Sequence, residues 1–262
     1  WNSLPSFWKN LLTEQAMTSK KPTKEELHTI INIRTLKINH FIQDAEPISR
    51  LTNIEFLDIS DTKIDDLSPL YGLYNLKSLN IKNTAVSDLS ILSNVKNLKE
   101  LNIENTNVKS LQPLHELSNI TKIYADGSKV TGDEVVKLKR KQYQVSVIYQ
   151  TEALRLWWGN LDLAWRDIFN NHLLCDSNPT AEQLQSIVDI EEIEVDPSNV
   201  IYSLETLRQM AFLKKLIIKN NQIQDLTPLM DKEFLEVLEV SGNPVDDISP
   251  FANMWSLKNL NI

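Results

Sequence analysis

The chain has 262 residues, 42% of them apolar and 24% charged, enough to bury a sizeable core and too apolar for disorder in bulk. A net charge of -8 argues against a nucleic-acid partner, which calls for a basic face. The single cysteine, Cys175, excludes an intramolecular disulfide and a metal site of several thiolates.

Apolar runs all fall short of the ~18 residues that a membrane-spanning helix needs. No signal peptide is expected in this chain. Because it begins at Trp1 and not at Met, a trimmed or processed chain is expected. The one dense basic run, Lys137 to Lys141, reads as the solvated end of a helix, with contact to phosphate or an anionic membrane surface as the alternative.

Residues 1–31 read as a helical cap. Trp1, Leu4 and Trp8 belong to a Trp-bearing amphipathic helix, and Thr23-x-x-Glu26 is a capping box opening a second helix. Residues 32–130 carry a repeat whose units begin at Asn32, Asn53, Asn75, Asn97 and Asn119, the first 21 residues long and the others 22. Each reads L-x-x-L-x-L-x-x-T/N-x-I/V, followed by a variant of D-L-S-P-L.

Within a unit, Leu57 and Ile59 alternate with Phe56, Asp58 and Ser60, which predicts a short strand with one apolar face. Thr62, Thr84, Thr106, Asn221 and Asn243 mark the turn off the strand, where a buried oxygen can accept from unpaired backbone N–H groups. Ser68-Pro69, Thr227-Pro228 and Ser249-Pro250 read as helix starts capped by the hydroxyl. So few residues remain per unit that the convex side should hold one turn of helix or 3₁₀. Residues 131–150 close the module, with a capping box at Thr131 to Glu134, a helix to about Lys141 and a strand over 145–149.

The cap then recurs. Trp158, Leu161, Trp165, Thr180 and Ile187 match Trp1, Leu4, Trp8, Thr23 and Ile30 at a constant offset of 157, which becomes 159 after a two-residue insertion. The sequence therefore predicts two tandem modules. The first spans residues 1–150. The second spans 151–262, with its cap over 151–189 and its repeats, which include Leu213, Leu235 and Leu257, over 190–262. In the second cap, Trp158, Leu161, Trp165, Phe169 and His172 are read as one helical face. No Gly/Ser linker separates the modules, so rigid or semi-rigid contact is expected. Ile262 corresponds to Ile103, mid-repeat, so the natural protein is expected to continue.

The unit matches the leucine-rich-repeat strand consensus. One unit cannot bury its apolar edge alone, so stacking predicts an α/β solenoid: a parallel concave sheet, short 3₁₀ or helical convex turns, and helical caps. The 22-residue unit resembles the internalin-like class of bacterial leucine-rich repeats. The Trp-rich cap, the closure at Val147 to Thr151 and the Trp157-Trp158 pair resemble repeat proteins of Bacteroidetes-type bacteria. The resemblance implies binding of a protein through the concave sheet, and a setting outside the cytoplasm or at a bacterial cell surface. It transfers no residue set, because fold does not fix function.

The residues suggest no catalytic chemistry and no cofactor. His28, His40, His115 and His172 are not at metal spacing from one another, although His40, at a turn, is the least bland. Asp65-Asp66 and Asp246-Asp247 recur at one repeat position, which favours a turn role over a calcium site, and Glu191-Glu192 stands as a further carboxylate pair. His172 and Cys175 lie three apart, a weak thiol–imidazole pair. The phosphate-binding, zinc-protease and nucleophile-elbow motifs are missing from the sequence.

The informative positions are the outward residues of each predicted strand: Lys37, Phe56, Asp58, Asn80, Lys82, Glu100, Asn102, Lys122 and Tyr124 in the first module, Glu194, Lys215, Ile217 and Glu239 in the second. Asn39, at the end of the first strand, is outward as well. This face is polar and mixed in sign, with Phe56 and Tyr124 as aromatic anchors. A solvated sheet face is the plain alternative, with Asn80 and Asn102 bonded to each other along the ladder. Trp157 and Trp255 lack first-module counterparts and are expected to be exposed. Another protein is the expected partner, with a carbohydrate as the alternative and a regulatory segment of a larger protein as the third reading. Oligomeric state is left open.

Overall fold

The computed structural model describes residues 1–262 except 39–41, 174–177, 197 and 253. Asn39, His40 and Cys175 thus lie outside the described residues. The chain forms two compact units, Trp1–Gln150 and Thr151–Ile262.

In the first unit, α1 (Ser6–Gln15) and α2 (Lys24–Ile31) precede six strands: β1 (Thr35–Lys37), β2 (Phe56–Asp58), β3 (Ser78–Asn80), β4 (Glu100–Asn102), β5 (Lys122–Tyr124) and β6 (Ser146–Ile148). Helix α3 (Gly132–Lys141) lies between the last two in sequence. All six strands pair in parallel, in chain order. The second unit holds α4 (Thr151–Gly159), α5 (Leu163–Leu173) and α6 (Ala181–Val188), then four parallel strands: β7 (Glu192–Glu194), β8 (Lys215–Ile217), β9 (Val237–Glu239) and β10 (Asn259–Asn261).

The repeat period sets the register. Leu36, Leu57, Leu79, Leu101, Ile123 and Val147 lie side by side across the first sheet and are all buried. The residues two further on, Ile38, Ile59, Ile81, Ile103 and Ala125, are buried behind them. Leu70, Leu92 and Leu114 reach the same core from 3₁₀ turns on the other side. Each unit of sequence therefore adds one slice to a continuous core, the logic of a solenoid.

Two expected capping boxes form: Thr23 with Glu26, and Thr180 with Gln183. The third does not. Thr131 makes no side-chain cap hydrogen bond, because the Glu134 carboxylate reaches to the preceding repeat and accepts from Leu111 N and Ser110 Oγ, both at 3.1 Å.

The convex turns are also capped differently from the sequence expectation. Asp66, two residues earlier than Ser68, accepts from the Ser68 backbone N–H at 2.8 Å and from its hydroxyl at 2.5 Å. Asp88, Asp225 and Asp247 do the same for Ser90, Thr227 and Ser249. The hydroxyl acts as donor because a carboxylate is the stronger acceptor.

At the turn off the strand, Thr62, Thr84 and Thr106 mainly donate, each to the carbonyl three residues back at 2.7 Å. Accepting falls to the asparagines: Asn221 Oδ1 takes the Ile201 N–H at 2.6 Å, and Asn243 Oδ1 the Ile223 N–H at 3.0 Å.

One further column has a left-handed backbone. Asp61, Asn83, Asn105 and Gly127 have φ of 58°, 56°, 54° and 68°. Asn83 Nδ2 donates to Asp61 Oδ1 at 2.7 Å, and Asn105 Nδ2 to Asn83 Oδ1 at 2.8 Å. A Cβ on Gly127 would lie 2.0 Å from Asn105 Oδ1, so a side chain there would have to displace the Asn105 amide, at a positive φ that favours glycine.

The Trp-bearing stretch of the second cap, read as one helical face, is two helices. It breaks after Gly159, and Asp162 Oδ1 accepts the Trp165 N–H at 2.8 Å to restart the chain as α5. Trp158 and Trp165 therefore sit on different helices.

Candidate functional site

The outward residues of β1–β6 form the face that leucine-rich-repeat solenoids present as their concave surface. Its middle column runs Lys37, Asp58, Asn80, Asn102, Tyr124, and ends at Ile148, which is buried. The neighbouring column runs Thr35, Phe56, Ser78, Glu100, Lys122 and Ser146. Strand spacing places successive side chains ~4.8 Å apart.

Most of the polar groups here are tied to the protein itself. Asp58 accepts from Ser60 N at 3.0 Å and Ser60 Oγ at 2.6 Å, and pairs with Lys37 at 3.2 Å. Burial alone would raise the Asp58 carboxyl; the Ser60 hydrogen bonds and the Lys37 ammonium outweigh it and hold the group below its ordinary value. Lys82 pairs with Glu104 at 2.8 Å, and the bond to that carboxylate lifts the Lys82 ammonium above its usual value. Asn102 Nδ2 donates to Glu104 Oε2 at 3.0 Å.

Asn80 and Asn102 do not bond to each other. Each turns its oxygen to a backbone N–H two residues on, Lys82 N at 3.1 Å and Glu104 N at 2.9 Å. Glu104 thus organises one end of the face, although the sequence drew attention to its partners. The Lys122 ammonium lies 5.7 Å from the Tyr124 ring centroid, a cation–π distance. Glu100 is exposed. Phe56, 48% exposed, stands at a shallow depression of about 350 Å³ floored by β1–β4.

The second unit's face has a different make-up. Glu192 pairs with Lys215 at 3.7 Å, and Lys219 with Glu239 at 2.9 Å. Glu239 also accepts from Asn261 Nδ2 at 3.0 Å, and its carboxyl is held below the ordinary range, by the Lys219 hydrogen bond above all. Glu194 is exposed and Ile217 half-buried.

The two tryptophans part company. Trp255 is 93% exposed, beside a depression of about 410 Å³ that Met230 and Glu233 also line. Trp157, expected at the surface, is half-buried in the second cap. Its ring lies 5.7 Å from that of Phe169, and its indole N–H donates to Thr206 O at 3.2 Å. A tryptophan with one apolar and one polar need settles where both are met.

Lys232 escaped the sequence reading. It fills the position held by Leu73, Val95, Leu117 and Met210 in other repeats and is only 4% exposed. Its ammonium donates to Arg208 O at 3.0 Å, and burial depresses its pKa to about 8. The signal was a lysine in a core column.

Among the described residues, no three His, Cys, Asp or Glu side chains converge as a metal site would need. No described helix is long and apolar enough to cross a membrane.

Comparison with known proteins agrees with the repeat reading. Residues 52–94 match the family model "Leucine Rich repeats (2 copies)". A search of curated proteins finds none that matches this sequence. Similar solved structures include internalin C2 of Listeria monocytogenes, with 20% identity, 98% of this chain and 93% of that one covered, and a TM-score of 0.48. The internalin inlF of the same organism has 20% identity, coverage of 97% and 82%, and a TM-score of 0.44. A leucine-rich-repeat protein of Leptospira interrogans has 16% identity, coverage of 92% and 52%, and a TM-score of 0.40. With the consensus repeated along both units and the described strands of each unit stacked in parallel, the chain carries leucine-rich repeats and has an α/β solenoid fold.

Proposed function

We propose that the protein is a non-catalytic scaffold that binds another protein through the open sheet face of its first unit. The observation that carries this reading is a half-exposed Phe56 set among polar groups already fixed by bonds within the protein. Side chains held before binding lose little entropy on binding, and an aromatic anchor supplies the desolvation energy. Leucine-rich-repeat solenoids generally use extended concave surfaces for recognition. A bacterial extracytoplasmic or cell-surface setting, implied by the repeat class, belongs to this reading and is checked by fractionation of the native organism.

The test is affinity capture from that organism, read by mass spectrometry, with the unaltered chain and a Phe56→Asp, Asn102→Ala, Tyr124→Ala variant in parallel. The variant should lose a specific partner while keeping its circular dichroism spectrum and melting midpoint. A partner retained equally by both would overturn the assignment of the face.

Carbohydrate binding is the second reading, and Trp255 favours it, because an exposed indole beside a polar depression suits a sugar face. Trp157 gives it no support, being packed into the cap. A glycan array with no hits for the parent would remove it, and hits that Trp255→Ala keeps would place the sugar elsewhere than Trp255.

A further inference from the structure

The cap is present twice, and the two copies differ in one respect. In the second unit α4 packs on α6. Under it Leu184 and Val188 are buried, at 0% and 5% exposure, and Trp158 is buried at the end of α4 itself. Their counterparts in the first unit are Leu27, Ile31 and Trp1. Ile31 is 47% exposed, and Leu27 and Trp1 are half-buried. The same amphipathic helix thus has its outer apolar face covered in one unit and bare in the other.

The bare face borders a groove of about 590 Å³ lined by Trp1, Leu12, Leu27, Ile31, Pro47 and Leu51. Each wall has a match in the second unit: Trp158, Phe169, Leu184, Val188, Thr206 and Met210. There, Trp157 packs on Phe169 and donates its indole N–H to Thr206 O. The corresponding walls of the first groove are Leu12 and Pro47, whose carbonyl is the counterpart of the Thr206 carbonyl. The groove of the first unit therefore has the place that Trp157 fills in the second.

We propose that this groove is a docking site for one helix, an amphipathic helix of the α4 pattern continuous with Trp1, as α4 is continuous with Trp158. Such a helix would place a leucine against Leu27 and Ile31, as Leu154 is buried in the second unit, and a large aromatic ring between Leu12 and Pro47. A site exposing apolar residues whose duplicates are buried marks an interaction surface more firmly than exposure alone.

The test joins the sequence of residues 151–157 ahead of Trp1 in the full chain and follows amide hydrogen exchange over residues 24–31. Residues 181–188 serve as the internal control. Exchange over 24–31 should slow by about tenfold or more, because covering the face stabilises α2 against local opening. Adding Leu27→Asp to the joined chain should cancel the slowing and leave exchange in β2–β5 unchanged. Equal exchange with and without the segment would overturn the proposal. So would sedimentation showing that the chain without the segment dimerises and protects residues 24–31, since the occupant would then be a second copy. Protection by a free peptide of residues 151–159, with none from the joined segment, would overturn the continuity with Trp1.

Discussion

At the scale of single residues, two positions carry more than their repeat column suggests. Gly127 ends a ladder of left-handed residues and meets Asn105 where any Cβ would collide. Gly127→Ala should destabilise the first unit by about 1–3 kcal/mol, from a positive φ and a displaced amide together; urea unfolding followed by circular dichroism measures it. Lys232 is the converse case, a cation where other repeats hold leucine, valine or methionine. Its folded pKa of about 8 lies below the ordinary 10.5, so the unfolded chain binds the extra proton between those values. The penalty is fully present below about pH 8 and fades as pH rises toward 10.5. Lys232→Leu should therefore stabilise the second unit at pH 7 by about 1–3 kcal/mol and flatten the alkaline rise. A variant no more stable than the parent at pH 7 would show that the Arg208 hydrogen bond offsets the cost of burial.

At the scale of elements, the convex turns at Ser68, Ser90, Thr227 and Ser249 each depend on one carboxylate, whereas those at Gln112 and Glu205 use a serine hydroxyl. Asp66 is held below its ordinary range by the Ser68 hydroxyl first and the Ser68 N–H second. Asp225 and Asp247 are held down by the N–H first and the hydroxyl second of Thr227 and Ser249. Lowered carboxyls contribute stability above their unfolded pKa, and that stability is lost as pH falls through the folded values. The thermal midpoint should thus drop in acid below about pH 4. An Asp66→Asn, Asp225→Asn, Asp247→Asn variant should show a shallower acid slope in a pH-resolved melt. The helices follow a second rule. Glu134 has capping-box spacing, yet bonds to Ser110 and Leu111, because the neighbouring turn offers donors within reach.

At the scale of the molecule, the second unit's core cluster is drawn wholly from residues after Thr151, so its burial is its own. Fragments 1–150 and 151–262 should each fold and give a cooperative thermal transition, checked by calorimetry; a fragment with no transition would show that its core depends on the other. The two faces also differ in kind. Lys82, Glu104 and Asn102 form a closed group in the first, whereas the second sets exposed Glu194 near half-buried Ile217. One partner bound identically by both is not what these surfaces suit.

The sequence by itself determined the repeat, its period, the core columns and the strand positions, because inward-outward alternation is local and recurs at a fixed interval. Leu57, Leu79 and Leu101 could be placed in one buried row without coordinates. The tertiary structure decided what depended on neighbours a full repeat away. Glu134 reached back to Ser110 and Leu111, Asn83 bonded to Asp61, and Trp157 moved inward to Phe169 and Thr206. A polar side chain chooses among partners by geometry, and that geometry exists only once the slices are stacked.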